Sequence, residues 1–328
     1  MRGKIINRDF VIRAVLWIQA LSLLACSGAS NLFDPTPQNA FTADKVSRET
    51  KIPANAVKMS PETDAQPPQV YSSDFESPIP LPGAVNTAGA EDSPFITLDG
   101  NTFYFFFTPD VNIPTEKQIL DGVTGIYVSK KINSEWSKPE RVILQDPGKP
   151  ALDGCEFVSG DIMWFCSVRE GYTGVHWFTA EHKDGMWQNW ELADFNPAYK
   201  VGELYFTRDG SELYFHSDRP GGKGQLDIWA SKRVDGIWQE PINVSAVNTT
   251  DSEGWPALSP DENELWFYRN YSIWRSKKVD GEWHEAELIV SPLAGEPSID
   301  DAGNLYFVHH FFTNDKMIEA DIYVAHKK

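Results

Sequence analysis

Five glutamates stand at the start of a recurring apolar segment, and they are the first candidates for chemistry in this sequence. They are Glu91, Glu156, Glu203, Glu253 and Glu296. If the recurring segments are strands arranged around an axis, the carboxyl groups meet near that axis. Two carboxyl groups with different pKa values can serve as the general acid and as the base or nucleophile of a glycosidase. Glu156, Glu203, Glu253 and Glu296 are therefore candidate catalytic residues.

A second polar group is expected at the same end of the repeats, where the following strand finishes. It comprises Arg169, Asp218, Arg219, Arg269, His309 and His310, with Trp255, Tyr268 and Tyr271 nearby. Such side chains can bind a sugar by hydrogen bonding and stacking, or hold a metal ion or a charged peptide. The predicted ligand-binding set is Glu91, Arg169, Asp218, Arg219, Trp255, Tyr268, Arg269 and His309. Each glutamate also has a structural alternative, since it can cap a neighbouring backbone or pair with an arginine.

The adjacent histidines are the least ordinary part of this group. Neighbouring residues of a regular strand point to opposite faces, so His309 and His310 cannot both face one metal ion. We therefore expect a single histidine, His309, in the central channel.

An internal repeat dominates the sequence from about residue 70 onwards. Residues 247–267 match residues 85–105 with the same spacing of Asn, Glu and Pro. Each repeat reads as an apolar strand, an Asp-Gly turn or a relative, an aromatic strand, an Ile-Tyr or Ile-Trp strand, and a fourth strand led by tryptophan. The turn aspartates are Asp99, Asp209 and Asp261, and the tryptophans are Trp136, Trp187, Trp238 and Trp283. We expect the tryptophans to pack between repeats.

The two ends of the repeat region complement each other. The fifth repeat ends after its third strand, without the segment that leads into a fourth. That segment is found before the first repeat, where residues 75–78 align with residues 238–241. The sequence therefore predicts an all-β fold: a β-propeller of five four-stranded blades, closed by an N-terminal strand that completes the last blade.

These motifs resemble the WD-like repeats of the TolB-type propeller family, including its envelope lipoproteins. The resemblance rests on Val-Asn-Thr, Glu-x-x-Pro, Leu-Tyr-Phe, Ser-Asp-Arg-x-Gly-Gly and Asp-Ile-Trp, and it covers about residues 70–328. The repeat that begins near Glu156 departs most from the motif. The resemblance implies a propeller, but the motif mainly specifies turns and packing and says little about function.

The N-terminus has the features of a bacterial lipoprotein signal. Basic residues precede an apolar stretch, residues 14–25, which is too short to cross a bilayer. The stretch ends in Leu23-Leu24-Ala25-Cys26, which resembles a lipobox and implies lipidation of Cys26. Ser27 resembles an outer-membrane address, so we expect a protein lipid-anchored in the bacterial cell envelope, in the outer membrane. The alternative is an ordinary cleaved signal that releases a soluble protein.

The predicted organisation has three parts. Residues 1–25 form the signal peptide, residues 26–68 carry the lipidated cysteine and a flexible tether, and residues 69–328 form the propeller. The middle part is rich in Ser, Thr, Asn, Ala and Pro and lacks hydrophobic periodicity. Such a segment cannot bury enough apolar surface to offset the entropy lost on ordering.

Cys155 and Cys166 bracket a predicted hairpin. Its turn is Gly160-Asp161, and with two turn residues the cysteines face each other directly. An exported protein meets an oxidising compartment, which favours a disulfide between Cys155 and Cys166. The alternative is two buried free thiols, since a hydrogen-bonded pair in an antiparallel ladder holds its Cα atoms further apart.

The charge of the chain limits its partners. A formal net charge of −18 argues against nucleic acid, which is bound by Lys and Arg, and against a direct anionic lipid contact. Contact with the membrane is thus expected through the lipid anchor alone. No cofactor is expected from the motifs, while a divalent cation in the channel is left open.

The sequence leaves three hypotheses for the function. The main hypothesis is an envelope-anchored binding module whose polar axial face recognises a polysaccharide or an envelope protein. The alternative is a glycoside hydrolase or other carbohydrate-active enzyme that uses the axial glutamates. An assembly factor of an envelope complex is a third option.

Overall fold

A computed structural model describes residues 46–193 and 201–328, and these fold almost entirely into β-structure. The helical segments within these ranges are a 3-10 turn, Arg48–Lys51, and a short helix α1, Thr115–Gln118. No helix in the described ranges is long and apolar enough to cross a membrane. The predicted signal peptide and Cys26 lie outside the described residues. The prediction of an all-β fold is confirmed.

The strands are short and follow one another mostly in antiparallel hairpins. The first half of the chain contributes β1 (Gln69–Val70), β2 (Ile79–Pro80), β3 (Ala90–Ile96), β4 (Thr102–Thr108), β5 (Gly125–Ile132), β6 (Glu135–Trp136), β7 (Glu140–Arg141), β8 (Ala151–Ser159), β9 (Ile162–Arg169), β10 (His176–Lys183), β11 (Met186–Leu192) and β12 (Leu204–Phe206). The second half contributes β13 (Glu212–Ser217), β14 (Asp227–Val234), β15 (Ile237–Trp238), β16 (Ile242–Asn243), β17 (Glu253–Leu258), β18 (Glu264–Arg269), β19 (Ser272–Val279), β20 (Glu282–Trp283), β21 (Glu287–Ser291), β22 (Ala294–Ile299), β23 (Leu305–Thr313) and β24 (Lys316–Ala325).

The strands group into antiparallel units that follow the sequence repeats. Unit 1 is β3–β4–β5 with β6 and β7, unit 2 is β8–β9–β10–β11, and unit 3 is β12–β13–β14 with β15 and β16. Unit 4 is β17–β18–β19 with β20 and β21, and unit 5 is β22–β23–β24 with β2. Units 5 and 1 share one sheet because β24 and β3 pair in parallel at Ala320 and Ala90.

An aspartate builds the turn between the first two strands of a unit. In unit 1, Asp99 Oδ1 accepts hydrogen bonds from the Thr97 hydroxyl (2.6 Å) and from the N–H of residue 101 (3.1 Å). Gly100 follows with φ 69°, a conformation that glycine adopts without strain. Asp209 and Asp261 accept the same pair of bonds in units 3 and 4. This is the turn role predicted for these aspartates.

Two of the four recurring tryptophans pack against an aromatic ring of a neighbouring unit. Trp187 of unit 2 meets Tyr104 of unit 1 with ring centroids 6.4 Å apart, and Trp283 of unit 4 meets Tyr214 of unit 3 at 6.1 Å. Both contacts are edge-on, an arrangement favoured by the ring quadrupoles. The apolar core therefore lies between sheets rather than on the axis.

The first strands of the units lie side by side. The order is β3, β8, β12, β17 and β22, and β22 is again next to β3. The two ends of the repeat region also meet, because Ile79 of β2 pairs with Val324 of β24 and Phe75 forms a bridge with Lys327.

Residues 46–68, which the sequence assigns to the flexible tether, are bound to units 1 and 5. We call this stretch the N-terminal segment. Lys58 forms ion pairs with Glu319 and Asp321 of β24, and Asp64 Oδ2 lies 2.8 Å from Nε2 of His309. The folded body therefore begins before residue 69, and the tether prediction is corrected for this stretch. Side-chain ion pairs, which hydrophobic periodicity cannot reveal, order the segment.

Arg48 anchors the start of this segment. Its side chain is 2% exposed and donates to Glu91 Oε1 at 2.9 Å and to the carbonyls of Ala84 (2.9 Å) and Val85 (2.6 Å). The guanidinium also lies over the Phe107 ring, 4.9 Å from its centroid. Removing one partner of such a buried pair leaves the other charge uncompensated.

We expect Arg48→Ala to lower the free energy of unfolding by about 3–5 kcal/mol, because Glu91 then stays buried without its cation. Lys51→Ala is the matched control, since Lys51 lies in the same 3-10 turn but is exposed. Urea denaturation of both variants measures the difference. Equal stability of the two variants would show that the buried ion pair of Arg48 and Glu91 does not stabilise the fold.

Candidate functional site

The predicted glutamates do not occupy equivalent positions. In four units the first strand contains a β-bulge, where its register against the second strand shifts by one residue. Glu91 and Glu253 lie before the bulge, while Glu296 is the first and Glu156 the second of the two residues within it. Glu203 precedes β12 and corresponds to Glu296 when the hairpins are aligned. The single class of five axial glutamates is therefore corrected, because the glutamates occupy different positions relative to the bulge.

Each bulge contains one residue in the left-handed region. These residues are Ser93 (φ 46°), Cys155 (φ 57°), Trp255 (φ 51°) and Glu296 (φ 55°). Positive φ is strained for residues other than glycine, so surrounding packing must hold it. The residue before it is Gly154, Gly254 and Gly295 in units 2, 4 and 5, and Asp92 in unit 1. A Cβ on Gly254 would lie 3.1 Å from His216 Nδ1 of the preceding unit, so the first strands are tightly apposed.

Glu253 is saturated by its own unit. Its Oε1 accepts from the Thr249 hydroxyl (2.6 Å) and from Arg269 Nε (2.6 Å), and its Oε2 accepts from the Thr249 N–H (3.0 Å). Arg269 also donates to the carbonyl of Val247 and lies over Trp274, 4.6 Å from the ring centroid. Glu253 and Arg269 thus form an ion pair within unit 4.

Glu91 repeats this network with a cation from elsewhere in the chain. Thr87 donates through its hydroxyl (2.7 Å) and its N–H (2.9 Å), and Arg48 takes the place that Arg269 has in unit 4. Burial raises the pKa of Glu91 to about 7, although Arg48 and Thr87 act in the opposite direction. The arginine is supplied by the N-terminal segment because Phe107 stands at the position of Arg269.

Arg169 and Arg219 lie at corresponding places in units 2 and 3. Arg169 is paired with Asp153 (2.8 Å) and lies 4.3 Å from the centroid of Phe178. Arg219 lies over Trp229, with Glu240 4.0 Å away, while Asp218 is exposed. Together with Glu91 and Glu253, these residues form the loop face, which internal pairs largely neutralise. The ligand face predicted from the sequence is therefore mostly engaged with the chain itself.

The histidine pair is split as strand geometry requires. His309 is fully buried, bonded to Asp64 and ringed by Phe311 and Tyr323 at 4.8 and 5.2 Å. His310 faces the other way, towards Gly295, and burial lowers its pKa. Within the described residues, neither ring nitrogen of His310 has a hydrogen-bond partner.

The cysteines are free thiols in this structure, so the predicted disulfide is not formed. The hairpin register is as expected near the turn, where Phe157 pairs with Trp164, but the bulge then intervenes. Cys166 consequently pairs with Gly154, and Cys155 becomes the extra, left-handed residue. The direct facing of the two cysteines is corrected for this reason.

A small cavity lies where the first strands converge. Its volume is about 40 Å³, and every unit contributes a polar or aromatic side chain to its wall. These are Ser93, Glu156, Glu203, Trp255 and Glu296. Asp92 also belongs here, since the pKa values of Glu156, Glu203 and Glu296 all respond to its charge. We call Asp92, Glu156, Glu203 and Glu296 the axial carboxyl cluster.

Burial dominates the acid–base properties of this cluster. It raises the pKa of Glu203 to about 7, against smaller opposite effects of hydrogen bonds from the Cys155 thiol and the Trp255 indole. Burial also raises the pKa of Glu156 and Glu296 well above their usual range, and neighbouring carboxylates add to this. Glu296 Oε2 accepts the Ser93 N–H at 2.8 Å. At neutral pH the cluster therefore combines protonated carboxyl groups with one that titrates.

Glu156 stands apart within the cluster. It is 6% exposed, and neither carboxyl oxygen has a hydrogen-bond partner among the described residues. A buried polar group without a partner is costly to the fold. Such a group at the wall of a cavity marks a place where a ligand can bind.

An aromatic group closes one side of the cavity. His216 stacks near Trp255 at 4.9 Å, and Tyr268 lies 5.1 Å from Trp255 on the other side. The Trp255 N–H donates to His216 Nδ1 at 3.1 Å, and burial lowers the pKa of His216 to about 4. His216 is thus neutral at pH 7, with its proton on Nε2.

The sequence did not single out Asp92, Ser93 or His216. The first two lie between the Glu and the Pro of the repeat, where residue type varies and the motif carries no rule. A usable signal is the glycine that precedes the bulge residue in units 2, 4 and 5, because Asp92 replaces it in unit 1.

A larger pocket opens at the face opposite to the predicted one. It has a volume of about 310 Å³ and is bordered by the turns between first and second strands, and it shares Phe95 and Tyr205 with the small cavity. Phe157 and Phe206 add apolar wall, while Arg208 stands at the rim. We call this the outer pocket. Its size is that of a small-ligand site.

No group of three or more His, Cys, Asp or Glu side chains within residues 46–193 and 201–328 has the arrangement of a metal site. The axial carboxyl cluster is not a group of this kind, since its members do not have the arrangement in which oxygen ligands surround calcium or magnesium.

The raised pKa of Glu203 predicts a pH-dependent stability. A group whose pKa is higher in the folded state stabilises the fold below its unfolded value, and this contribution is lost as pH rises through about 7. We expect Glu203→Gln to be more stable than the parent above pH 7, by at most about 3 kcal/mol, and to show no gain near pH 4, below the pKa of an unfolded glutamate. Urea unfolding across this range, with exposed Glu282→Gln as the control, tests it; parallel curves would contradict the assignment.

No family model matches this chain, and no curated protein matches it in sequence. Solved structures of similar architecture include a gluconolactonase from Xanthomonas campestris, 13% identical with a TM-score of 0.46, over 83% of this chain and 98% of that protein. An endo-arabinase from Bacteroides thetaiotaomicron is 16% identical with a TM-score of 0.47, over 76% and 97% of the two chains.

A TolB protein from Agrobacterium tumefaciens is 14% identical with a TM-score of 0.41, over 74% of this chain and 84% of that one. These neighbours are propeller-type proteins. At such low identities and scores the likeness concerns the kind of architecture and carries no argument about activity. The TolB-type repeat family stays a prediction.

Proposed function

We propose that the chain forms a five-bladed β-propeller that acts on a carbohydrate at its axial carboxyl cluster. Two contacts support five blades and a closed ring. The five first strands neighbour one another in cyclic order, and β2 from the N-terminal side pairs with the C-terminal β24. A ring of this kind brings one first strand from each blade to the axis.

The observation that carries the function is one cavity bordered by carboxyl groups of several units, where burial raises the pKa of Glu203 to about 7 and raises the pKa of Glu156 and of Glu296 well above the usual range. Glu203, with a pKa raised to about 7, can hold a proton for a leaving group near neutral pH. Half-buried Asp92 stands beside it as a second carboxyl group. Such a pair is the arrangement by which glycoside hydrolysis proceeds. Glu253 has no part in this proposal because its oxygens are taken by Thr249 and Arg269.

The two cavities would bind different parts of the sugar. A sugar ring does not fit into about 40 Å³, whereas the outer pocket of about 310 Å³ accommodates one. Phe95 and Tyr205, which line both, offer aromatic surface for stacking. The ring would thus lie in the outer pocket with its reacting or recognised group directed at the carboxyl cluster.

A panel of polysaccharides tests the proposal by following both binding and the release of reducing ends. We expect release by the parent protein and its loss, by about 10²-fold or more, in Glu203→Gln, because a general acid contributes a factor of this order. Glu282→Gln is the control, because Glu282 is exposed in β20 and does not line the cavity.

Binding without release, unchanged in Glu203→Gln, would instead identify a binding module for a polysaccharide. If the protein neither binds any glycan nor releases reducing ends from one, the carbohydrate proposal is overturned. That result would favour a protein partner of the envelope.

We also propose that the protein is held at the bacterial outer membrane by a lipid on Cys26. The support is the lipobox-like sequence before this residue. We expect Cys26→Ala to move the protein from the membrane fraction to the soluble fraction, since acyl chains supply the attachment. Fractionation of cells that express each form measures this, and continued membrane association of the variant would show that the anchor is elsewhere.

A further inference from the structure

The axial carboxyl cluster lacks the cations that accompany the buried acidic groups of the loop face. There, Glu91 pairs with Arg48, Asp153 with Arg169 and Glu253 with Arg269. Among the described residues, no lysine or arginine forms an ion pair with any member of the axial cluster. The fold therefore compensates acidic charge at the loop face and leaves it uncompensated at the axis.

Glu156 shows what the missing partner must offer. Both of its oxygens are buried at the cavity wall without a donor from the described protein. Glu203 and Asp92 act on it only as further negative charges. A ligand group that satisfies this place must donate hydrogen bonds, and a cationic donor also stabilises the ionised form of the surrounding carboxyl groups.

The size of the cavity selects among cations. A volume of about 40 Å³ is that of a water-sized group, which an ammonium matches. A divalent metal is disfavoured, because the cluster does not have the convergent arrangement of a metal site. Trp255, half-buried at the same wall, adds an aromatic face that attracts a cation.

The outer pocket defines the rest of the ligand. Its shared walls Phe95 and Tyr205 and its further rings Phe157 and Phe206 suit a flat, partly apolar body such as a pyranose ring. An ammonium carried directly on that ring would reach the small cavity while the ring stays outside it.

We propose that the axial site recognises an amino sugar with a free amine, whose ammonium enters the carboxyl cluster while its ring occupies the outer pocket. This inference rests on the proposed carbohydrate function and names the sugar class. An N-acetylated sugar lacks the charge, and a uronic acid would bring a further negative charge to an uncompensated acidic site.

Binding of this kind must release protons. The titratable groups in the wall of the cavity are Glu156, Glu203, Tyr205 and Glu296. Those close to them on the surrounding strands are Asp92, Cys155, Cys166, His216, Tyr268 and His310. Burial holds Glu156 and Glu296 protonated at neutral pH and leaves Glu203 close to its pKa of about 7, and an entering ammonium favours the ionised form of all three. Affinity therefore rises with pH up to the point at which the amine itself loses its proton.

The test is calorimetric titration of the full protein with glucosamine, N-acetylglucosamine and glucose at about pH 5 and about pH 7. We expect glucosamine to bind at least about tenfold more tightly than either neutral sugar, the difference of one charge-assisted contact. We also expect tighter binding at the higher pH, with proton release seen as a dependence of the heat on buffer ionisation. This second readout needs no variant.

Glu156→Gln should weaken glucosamine binding by about tenfold, with Glu282→Gln as the control. Equal affinity for all three sugars, lost in Glu156→Gln, would overturn the amine inference while keeping the carbohydrate function. Binding of glucosamine without proton release, unaffected by Glu156→Gln, would place the amine outside the cluster and overturn the inference as well. Failure of the polysaccharide panel together with all three sugars would overturn both proposals.

Discussion

The β-bulge in the first strand is the constraint on which the site depends. A regular strand alternates its side chains between two faces, and one extra residue reverses that alternation for everything that follows. Left-handed residues such as Trp255 and Glu296 thereby reach the axis, while Glu253, two residues before Trp255, turns to the loop face. Each non-glycine residue at positive φ costs of order 1–3 kcal/mol. The surrounding sheets hold this strain in four units. The bulges bring Glu156 and Glu296 to the axial carboxyl cluster, and Glu203 joins them from the start of β12.

The loop face and the axis treat buried charge in opposite ways. At the loop face a glutamate or aspartate always meets a guanidinium, and where unit 1 lacks its own arginine the N-terminal segment delivers Arg48. The Arg48–Glu91 and Arg269–Glu253 networks are nearly identical, although the two arginines come from different parts of the chain. The buried glutamate therefore requires a guanidinium partner, whichever segment supplies it. The axis has no such provision, so its carboxyl groups can be kept buried mainly in the protonated form.

The sequence predicted what repeats and missed what interrupts the repeat. Aromatic strands and aspartate turns follow from alternation and turn chemistry and are found as expected, and two of the four tryptophans contact a ring of a neighbouring unit as predicted. The bulges are local backbone events that leave the apolar pattern nearly unchanged, so Glu91, Glu156 and Glu296 looked equivalent although they lie at different places. Arg48 was hidden for another reason: its segment is ordered by ion pairs, which leave no periodic trace.

Stability and chemistry at the axis draw on one property, the exclusion of water from the cluster. Low polarity raises the pKa of Glu203 to about 7 and so keeps a proton available for transfer. The same low polarity makes ionisation of Glu156 or Glu296 unfavourable for the folded state. A cationic ligand, however, is bound best by ionised carboxylates, so the two requirements conflict. A bound ammonium resolves this conflict, because it stabilises the ionised carboxylates without admitting water. An opening of the cavity would remove the conflict too, but it would also return Glu203 to an ordinary carboxylate with no proton to give.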